Sequence, residues 1–176
     1  MKTLVIVTHP NPETSIINKR WVEELKKYPE KYTVHELYKS YPDGKIDVEK
    51  EQQLIESHGN LVLQFPLYWF NSPPLLKQWL DEVFTYGWAY GSSGDKLKNR
   101  KAALAVSVGG EEQLYQKEGK FNRTMDEILS PFETTFLYCK SDYRSFFSIY
   151  GVETNTPPAD ELDKNAQDYV KFIDNM

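Results

Sequence analysis

The sequence predicts an α/β fold in which helices cover both faces of a five-stranded, mostly parallel sheet. Short apolar runs alternate with amphipathic segments of helical period along the chain, and this alternation is typical of a doubly wound sandwich. The first run, TLVIV at Thr3–Val7, is continuous, as in strands that are buried on both faces. At 176 residues we expect a single domain that spans residues 1–176.

The first half of the chain is predicted to form three strands and two helices. Prolines end the first strand and the helix after it, because the proline ring fixes φ and removes the backbone donor. Glycine and asparagine at positions 59 and 60 mark the turn into the third strand. The predicted elements are strands at residues 3–7, 32–37 and 61–65, a helix capped by Thr14 or Ser15, a turn at residues 41–44 and a helix at residues 47–58.

The second half is predicted to form three helices and two strands. Ser72 caps a helix that has Pro73 at its first position. Residues 121–140 admit a strand at TTFLYC or a helix, and we predict the helix because Ser130 followed by Pro131 fits a helix start. About five strands in this length favour a flavodoxin-like three-layer sandwich, although the pattern leaves the strand order open. The remaining predicted elements are strands at residues 102–108 and 145–152 and a helix at residues 160–173.

The composition argues against several classes of function. Lys and Arg number 21 against 26 Asp and Glu, for a net charge of −5, so neither nucleic acid nor an acidic membrane surface is an expected partner. The apolar runs fall short of the roughly 20 residues that cross a bilayer. The apolar start of the chain is also too short for a secretory signal, and we therefore predict a cytoplasmic protein.

Cysteine and histidine usage argues against disulfides and metal sites. The single cysteine, Cys139, has no partner for an internal disulfide, and we predict that it is a buried structural thiol. The three histidines, His9, His35 and His58, share no metal-ligand spacing, so no metal site is expected. Residues 91–94, GSSG, are one residue short of GxSxG and follow no strand, which disfavours a serine hydrolase.

Three unusual loops follow predicted strands. They are residues 9–15, 66–72 and 108–112, after the first, third and fourth strands. In doubly wound sheets ligands bind beyond the carboxyl ends of the strands. The coincidence of the three loops at that edge therefore predicts a ligand site.

The first of these loops runs into a helix N-terminus, where free N–H groups and the helix dipole favour an anion. Thr14, Ser15 and Asn18 add short hydrogen-bond donors, and His9 adds another. The loop contains neither GxxxxGK[ST] nor GxGxxG. Two interpretations stay open: a phosphate site, or a residue that only caps a helix.

The other two loops supply aromatic rings and glycines. Tyr68, Trp69 and Phe70 stand in a row within PLYWFNSPP, and Gly109 and Gly110 let a backbone approach a ligand closely. An anion pocket, an aromatic slot and backbone donors are the set that a flavin mononucleotide needs. The alternative is that the aromatic residues form a packed cap over the core.

Four stretches carry a resemblance to a known family, namely HPNPETSIINK, LYKSYPDGKIDVEKEQ, QFPLYWFNSPPLLKQWLDEVFTYGWAYG and VSVGGEEQLY. The chain resembles the flavodoxin-fold NAD(P)H:quinone oxidoreductases along nearly its whole length. It is similar to the bacterial branch with general stress protein 14 and the ancillary subunit of glutathione-regulated potassium-efflux systems. The third stretch is long and specific, and the others support it.

The resemblance implies a flavin site built from all three loops. The phosphate and ribityl chain would be surrounded by His9, Ser15, Ile16, Ile17 and Asn18. Thr14, in the same loop, is assigned to the cofactor site as well. The ring would be held by the residues that follow Pro66, itself assigned to the cofactor site, namely Leu67, Tyr68, Trp69 and Phe70. The polar edge of the ring would be followed by Val108, Gly109, Gly110 and Glu111.

The resemblance also implies catalytic and substrate residues. Tyr115 falls where larger enzymes of the family place a tyrosine that relays charge during hydride transfer. Phe121 stands at or near the position of the histidine that pairs with it there, which leaves Tyr115 with either a catalytic or a packing role. Trp88 and Tyr90 match a lid that covers the substrate pocket of the partner chain in the family dimer.

The expected function is flavin-dependent oxidation of NADPH or NADH and two-electron reduction of a quinone by a ping-pong mechanism, in a homodimer. FMN is the expected cofactor, and FAD is the alternative. A second hypothesis is a flavin-binding regulatory subunit that docks on a membrane potassium-efflux transporter. An electron-carrier flavodoxin is less favoured, because such carriers are strongly acidic.

Overall fold

The computed structural model of the protein describes residues 1–154 and 157–176. Its strands are β1 Thr3–Val7, β2 Tyr32–Glu36, β3 Asn60–Pro66, β4 Lys101–Ser107 and β5 Asp142–Ile149. All neighbours are parallel and the order is β2-β1-β3-β4-β5, as in flavodoxin-like sheets. The predicted five-stranded parallel sheet is confirmed, and the strand order that the pattern left open is now decided.

Helices cover both faces of the sheet. Side chains alternate along β1, so that Leu4 and Ile6 belong to one buried cluster with Trp79, while Val5 and Val7 belong to the other with Trp21. The result is the predicted three-layer arrangement. The helices of the described residues are α1 Ile16–Leu25, α2 Leu37–Ser40, α3 Val48–Glu56, α4 Pro74–Val83, the 3₁₀ helix Glu112–Tyr115, α5 Met125–Tyr138 and α6 Ala159–Asp174.

The helix predicted near Ser130 exists, but its predicted start was wrong. Helix α5 begins at Met125, after a capping box in which Thr124 Oγ1 accepts from the Glu127 N–H at 3.3 Å and the Glu127 carboxylate accepts from the Thr124 N–H at 2.8 Å. Pro131 lies inside the helix and cannot donate to the Glu127 carbonyl. The Ser130 hydroxyl donates to that carbonyl instead, at 2.8 Å, and this explains why the helix tolerates the proline.

The predicted cap of α4 was also wrong. The helix begins at Pro74, and Pro73 occupies the cap position without a side-chain capping bond. A side-chain cap accepts from the N–H of the second or third helical residue. With Ser72 as the cap, the second residue would be Pro74, which has no N–H, so only the N–H of the third residue would remain as a donor. The Ser72 hydroxyl is buried and has no hydrogen-bond partner among residues 1–154 and 157–176.

Four strands differ from their predicted bounds, those of β3 and β4 by one residue at each end. Strand β2 ends one residue early, because Leu37 begins α2. Strand β5 runs over Asp142–Ile149 and not over residues 145–152. The residues after Ile149 are therefore free to form a fourth loop at the carboxyl edge of the sheet.

Two further findings concern the expectations from composition. Cys139 is buried at the end of α5, as predicted, and burial raises the pKa of its thiol. In the part of the chain that the structure describes, no helix is both long and apolar enough to span a bilayer.

Candidate functional site

A cleft of about 270 Å³ opens at the carboxyl edge of the sheet, among the loops that follow β1, β3, β4 and β5. Strand order reverses between β1 and β3, which is where doubly wound sheets bind ligands. The cleft brings together nine of the predicted site residues, namely His9, Thr14, Ser15, Ile16, Ile17, Pro66, Leu67, Tyr68 and Gly109.

The β1–α1 loop offers backbone donors at one end of the cleft. Ser15 caps α1, and its hydroxyl oxygen accepts from the Asn18 N–H at 3.0 Å. The N–H groups of Ile16 and Ile17 meet no acceptor within the described ranges. Capping therefore uses the Asn18 donor and leaves the first two helical donors for an anion, so that the two interpretations of this loop are compatible.

His9 is oriented by the same loop. Its Nδ1 accepts from the Asn11 N–H at 3.0 Å, so the neutral ring carries its proton on Nε2. Burial lowers the pKa of His9, and the ring is neutral at pH 7. His9 thus supplies an uncharged Nε2–H donor beside the backbone donors of α1.

The aromatic residues form a tight turn at the rim of the cleft. Tyr68 and Asn71 exchange backbone hydrogen bonds of 2.8 and 3.0 Å, and the two residues between them, Trp69 and Phe70, have φ values of +50° and +62°. Positive φ at both central positions is the pattern of a type I′ turn, which normally takes Asn and Gly. Trp69 is 93% exposed, so the alternative of a packed cap over the core is wrong for this residue.

The opposite end of the cleft is formed by the loops after β4 and β5. Three N–H groups of the loop after β5 donate to carbonyl oxygens of the loop after β4. Gly151 donates to Gly110 at 2.9 Å, Val152 to Val108 at 3.2 Å and Glu153 to Gly109 at 3.3 Å. These bonds use the carbonyl oxygens of the β4 loop and leave the N–H groups of its two glycines unpaired among the described residues. No described residue accepts from the N–H groups of Gly109 and Gly110.

Three further predicted site residues, Gly110, Tyr115 and Phe121, do not line the cleft themselves. A Cβ built on Gly110 would lie 3.2 Å from the Tyr115 hydroxyl oxygen. Burial and, to a smaller extent, the charge of Glu153 raise the pKa of Tyr115, so its hydroxyl stays protonated at neutral pH. The ring packs against Phe121 with centroids 5.3 Å apart, and Phe121 offers no group that exchanges a proton.

A buried polar chain supports the floor of the cleft. The Asn18 side-chain amide donates to Ser107 Oγ at 2.9 Å, Gln64 donates to Asn18 Oδ1 at 3.2 Å, and the Tyr169 hydroxyl donates to Gln64 Oε1 at 3.2 Å. Asn18, Gln64 and Tyr169 are at most 2% exposed. Because unpaired buried polar groups are costly, this chain holds the start of α1 in register with β3 and β4.

The comparisons with known proteins agree with this geometry. Residues 1–173 match the protein family described as having a flavodoxin-like fold. A Bacillus subtilis protein named NAD(P)H oxidoreductase YrkL, itself uncharacterized, is 51% identical over 151 residues, which are 86% of each chain. The chain belongs to the flavodoxin-like NAD(P)H oxidoreductase family.

Two other proteins are similar to this chain over nearly its whole length. General stress protein 14 of Treponema denticola, whose crystal structure is a complex with FMN, is 50% identical, covers 99% of each chain and superposes with a TM-score of 0.95. The glutathione-regulated potassium-efflux system ancillary protein KefG of Yersinia pestis is 35% identical over 172 residues, 98% of this chain and 93% of KefG.

Some residues expected in an oxidoreductase site lie outside the cleft. Asn18 and Val108 are buried beneath it, and Trp69 and Phe70 stand on the rim, where Phe70 packs against Phe121 with centroids 4.9 Å apart. The Glu111 carboxylate accepts from the Thr154 hydroxyl. The two predicted lid residues, Trp88 and Tyr90, do not line the cleft of their own chain: Trp88 Nε1 donates to Glu56 at 2.8 Å, and Tyr90 packs on Tyr138 at 5.5 Å.

Sequence reasoning missed the loop after β5, which contributes Val152, Glu153 and Pro157 to the cleft. The rule that selected the other loops applies equally to this one. It was overlooked because the fifth strand was predicted to end at residue 152, so that the first residues of the loop were assigned to the strand. Ser107, the last residue of β4, was missed for the same kind of reason.

Proposed function

We propose that the protein is a flavin-dependent NAD(P)H oxidoreductase that binds FMN in this cleft and reduces quinones or similar acceptors. The observation that carries the proposal is a single cleft that is lined by Ile16 and Ile17 from one loop and by Gly109 from another, all three with backbone N–H groups that are unpaired within the described residues. FMN has a phosphate at one end and a polar ring edge at the other, and it is the flavin in the Treponema relative.

The residues present fit this cofactor. The N–H groups of Ile16 and Ile17, with the Nε2–H of His9, would hold the phosphate. The N–H groups of Gly109 and Gly110 would meet the polar edge of the ring, and Tyr68 would lie against the ring between the two ends. A bound flavin would supply the redox chemistry for hydride transfer from NADPH or NADH to a quinone, which also takes up a proton.

Tyr115 is the proposed catalytic residue, acting as a hydrogen-bond donor. Its protonated hydroxyl beside Gly110 stabilises negative charge at the ring edge. A tyrosine–histidine relay is not proposed, because Phe121 packs where a histidine would be needed. Nicotinamide and quinone would occupy the same open face of the ring in turn, and this order of events is a ping-pong mechanism.

The rim residues Trp69 and Phe70 would hold the ring beside Tyr68, and Phe121 would line its open face. In a homodimer, which we also propose, the half-buried Tyr90 of one chain would face the open ring of its partner, while Trp88, buried in the core of its own chain, would support the lid from within. The chain acts in this proposal as one flavin-binding domain of a cytoplasmic enzyme.

The direct test is a flavin and turnover assay. Purified protein is expected to bind an equimolar amount of FMN, with the visible absorbance of a flavin, and to oxidise NADPH or NADH faster when menadione is present. The matched control is the same protein stripped of flavin, which should be inactive until FMN is restored. A protein that binds no FMN even when FMN is added would disprove the proposed function.

A variant of Ile16 tests the phosphate end specifically. Ile16→Pro is expected to weaken FMN binding about tenfold, because it removes one backbone donor to a charged group, worth about 1.5 kcal/mol. Proline is tolerated at the first helical position, and Ser15 before it is already extended at ψ 119°. Ile16→Ala keeps the N–H and is the control. Equal FMN affinity in the two variants, measured by fluorescence titration, would show that this donor does not bind phosphate.

The second hypothesis, a regulatory subunit of a potassium-efflux transporter, is supported by the similarity to KefG. Flavin binding with no NAD(P)H oxidation by any tested quinone, together with co-purification of the protein with such a transporter, would favour it over the enzyme.

A further inference from the structure

The side chain of Glu153 lies over Gly109, where the loops after β4 and β5 meet at the cleft. A Cβ built on Gly109 would lie 2.5 Å from Cδ of Glu153 and 2.8 Å from its Oε2. Glycine leaves backbone open to a ligand, yet this open face of Gly109 is in contact with a carboxylate. Glu153 also lines the cleft itself, together with Ser15 and Tyr68.

The backbone of Glu153 is fixed, while its carboxylate is held weakly. The N–H groups of Val152 and Glu153 donate to Val108 and Gly109 at 3.2 and 3.3 Å. Within residues 1–154 and 157–176, the carboxylate of Glu111 receives a hydrogen bond from Thr154, but that of Glu153 takes part in no hydrogen bond or ion pair. The Glu153 carboxylate can therefore swing off Gly109, but it cannot move farther than one side chain's length.

The negative charge of Glu153 acts on the same end of the cleft as the proposed ring edge. The Tyr115 hydroxyl, beside Gly110, has its pKa raised by burial and further by this carboxylate. Hydride uptake brings two electrons and one proton to a flavin, so that the reduced ring carries a net negative charge at its polar edge. A neighbouring carboxylate disfavours a second negative charge.

We propose that Glu153 competes with flavin for the surface of Gly109 and weakens binding of the reduced flavin more than that of the oxidised flavin. The inference rests on the proposed function and adds a residue that tunes it. A protein that binds the reduced form less tightly lowers the reduction potential of the flavin, because binding and reduction are linked. Glu153 would in this way favour transfer of the hydride from flavin to acceptor.

The experiment compares Glu153→Gln with Glu161→Gln. Glu161 lies on α6 and lines a neighbouring surface cavity outside the cleft, so its variant removes the same charge without touching the site. Dissociation constants for FMN are measured in air for the oxidised form and anaerobically with dithionite for the reduced form, and the two-electron potential is measured against a reference dye. Glu153→Asp retains the charge and serves as a second control.

Glu153→Gln is expected to tighten binding of reduced FMN about tenfold more than binding of oxidised FMN, which raises the potential by about 30 mV for two electrons. Glu161→Gln and Glu153→Asp should leave the ratio of the two constants close to that of the wild type. If wild-type protein binds FMN and Glu153→Gln leaves the ratio unchanged, the role of Glu153 is overturned and the proposed function stands. If no variant binds FMN, the proposed function is overturned and this inference with it.

Discussion

Trp69→Asn is expected to weaken FMN binding about thirtyfold and, at the same time, to raise the free energy of unfolding by about 1 kcal/mol. Stacking of a flat ring on an aromatic side chain is worth about 2 kcal/mol, which corresponds to that factor. The side chain is 93% exposed and its φ is +50°, so little packing is lost within the chain. Asparagine adopts positive φ at lower cost than tryptophan, and the turn is relieved of about 1 kcal/mol of strain.

Two matched variants separate the effects at Trp69. Trp69→Phe keeps an aromatic ring and should retain most of the FMN affinity, whereas Trp69→Ala removes the ring and keeps most of the strain. FMN fluorescence titration and urea unfolding measure the two quantities. Wild-type FMN affinity in Trp69→Ala would show that this residue does not form the ring wall. Loss of stability in Trp69→Asn would show that the turn is not strained.

Glu51→Ala is expected to lower the free energy of unfolding by about 3 kcal/mol. The Glu51 side chain, on α3, is fully buried and accepts hydrogen bonds from three donors: Tyr41 Oη at 2.6 Å, His35 Nε2 at 2.8 Å and Trp79 Nε1 at 2.8 Å. Alanine leaves all three without an acceptor, and unpaired buried donors are among the largest single-residue costs. Urea unfolding at pH 7 measures the change.

The contribution of Glu51 should also depend on pH in a defined direction. Burial by itself raises the pKa of Glu51, but the three donors favour the ionised form more strongly, and the net effect is a lowered pKa. The stabilisation is therefore complete above the unfolded-state pKa of about 4.3 and is lost as the pH falls through the lower folded-state value. Glu51→Gln, of the same shape and without charge, should lack this acid-dependent component. An identical pH profile of stability in wild type and Glu51→Gln would contradict this account.

Local patterns predicted most of the secondary structure. Continuous apolar runs predicted β1, β3 and β4, because a strand of a parallel sheet is buried on both faces. The structure buries nearly every residue of these three strands. Helix starts were less predictable. Ser130 and Thr124 are both good caps by residue type, and only the reciprocal bonds between Thr124 and Glu127 select the second.

The candidate site was predictable to the extent that it depends on loop position. The loops after β1, β3 and β4 were located from strand ends and unusual residues, and nine residues assigned to them do line one cleft. Glu153 was not found, because its contact with Gly109 joins residues from two loops that no local pattern relates. The polar role of Gln64, in the middle of a buried strand, was missed for the same reason.

Hydrophobic periodicity and turn chemistry by themselves determined the strands, the approximate extent of the helices and the edge of the sheet at which the cleft lies, because each depends on residues adjacent in the chain. Only the tertiary structure decided the strand order, the donors to Glu51, the exposure of Trp69 in a strained turn and the carboxylate that covers Gly109. Each of these depends on how the folded backbone arranges side chains or joins groups far apart in sequence, and composition and periodicity do not report those arrangements.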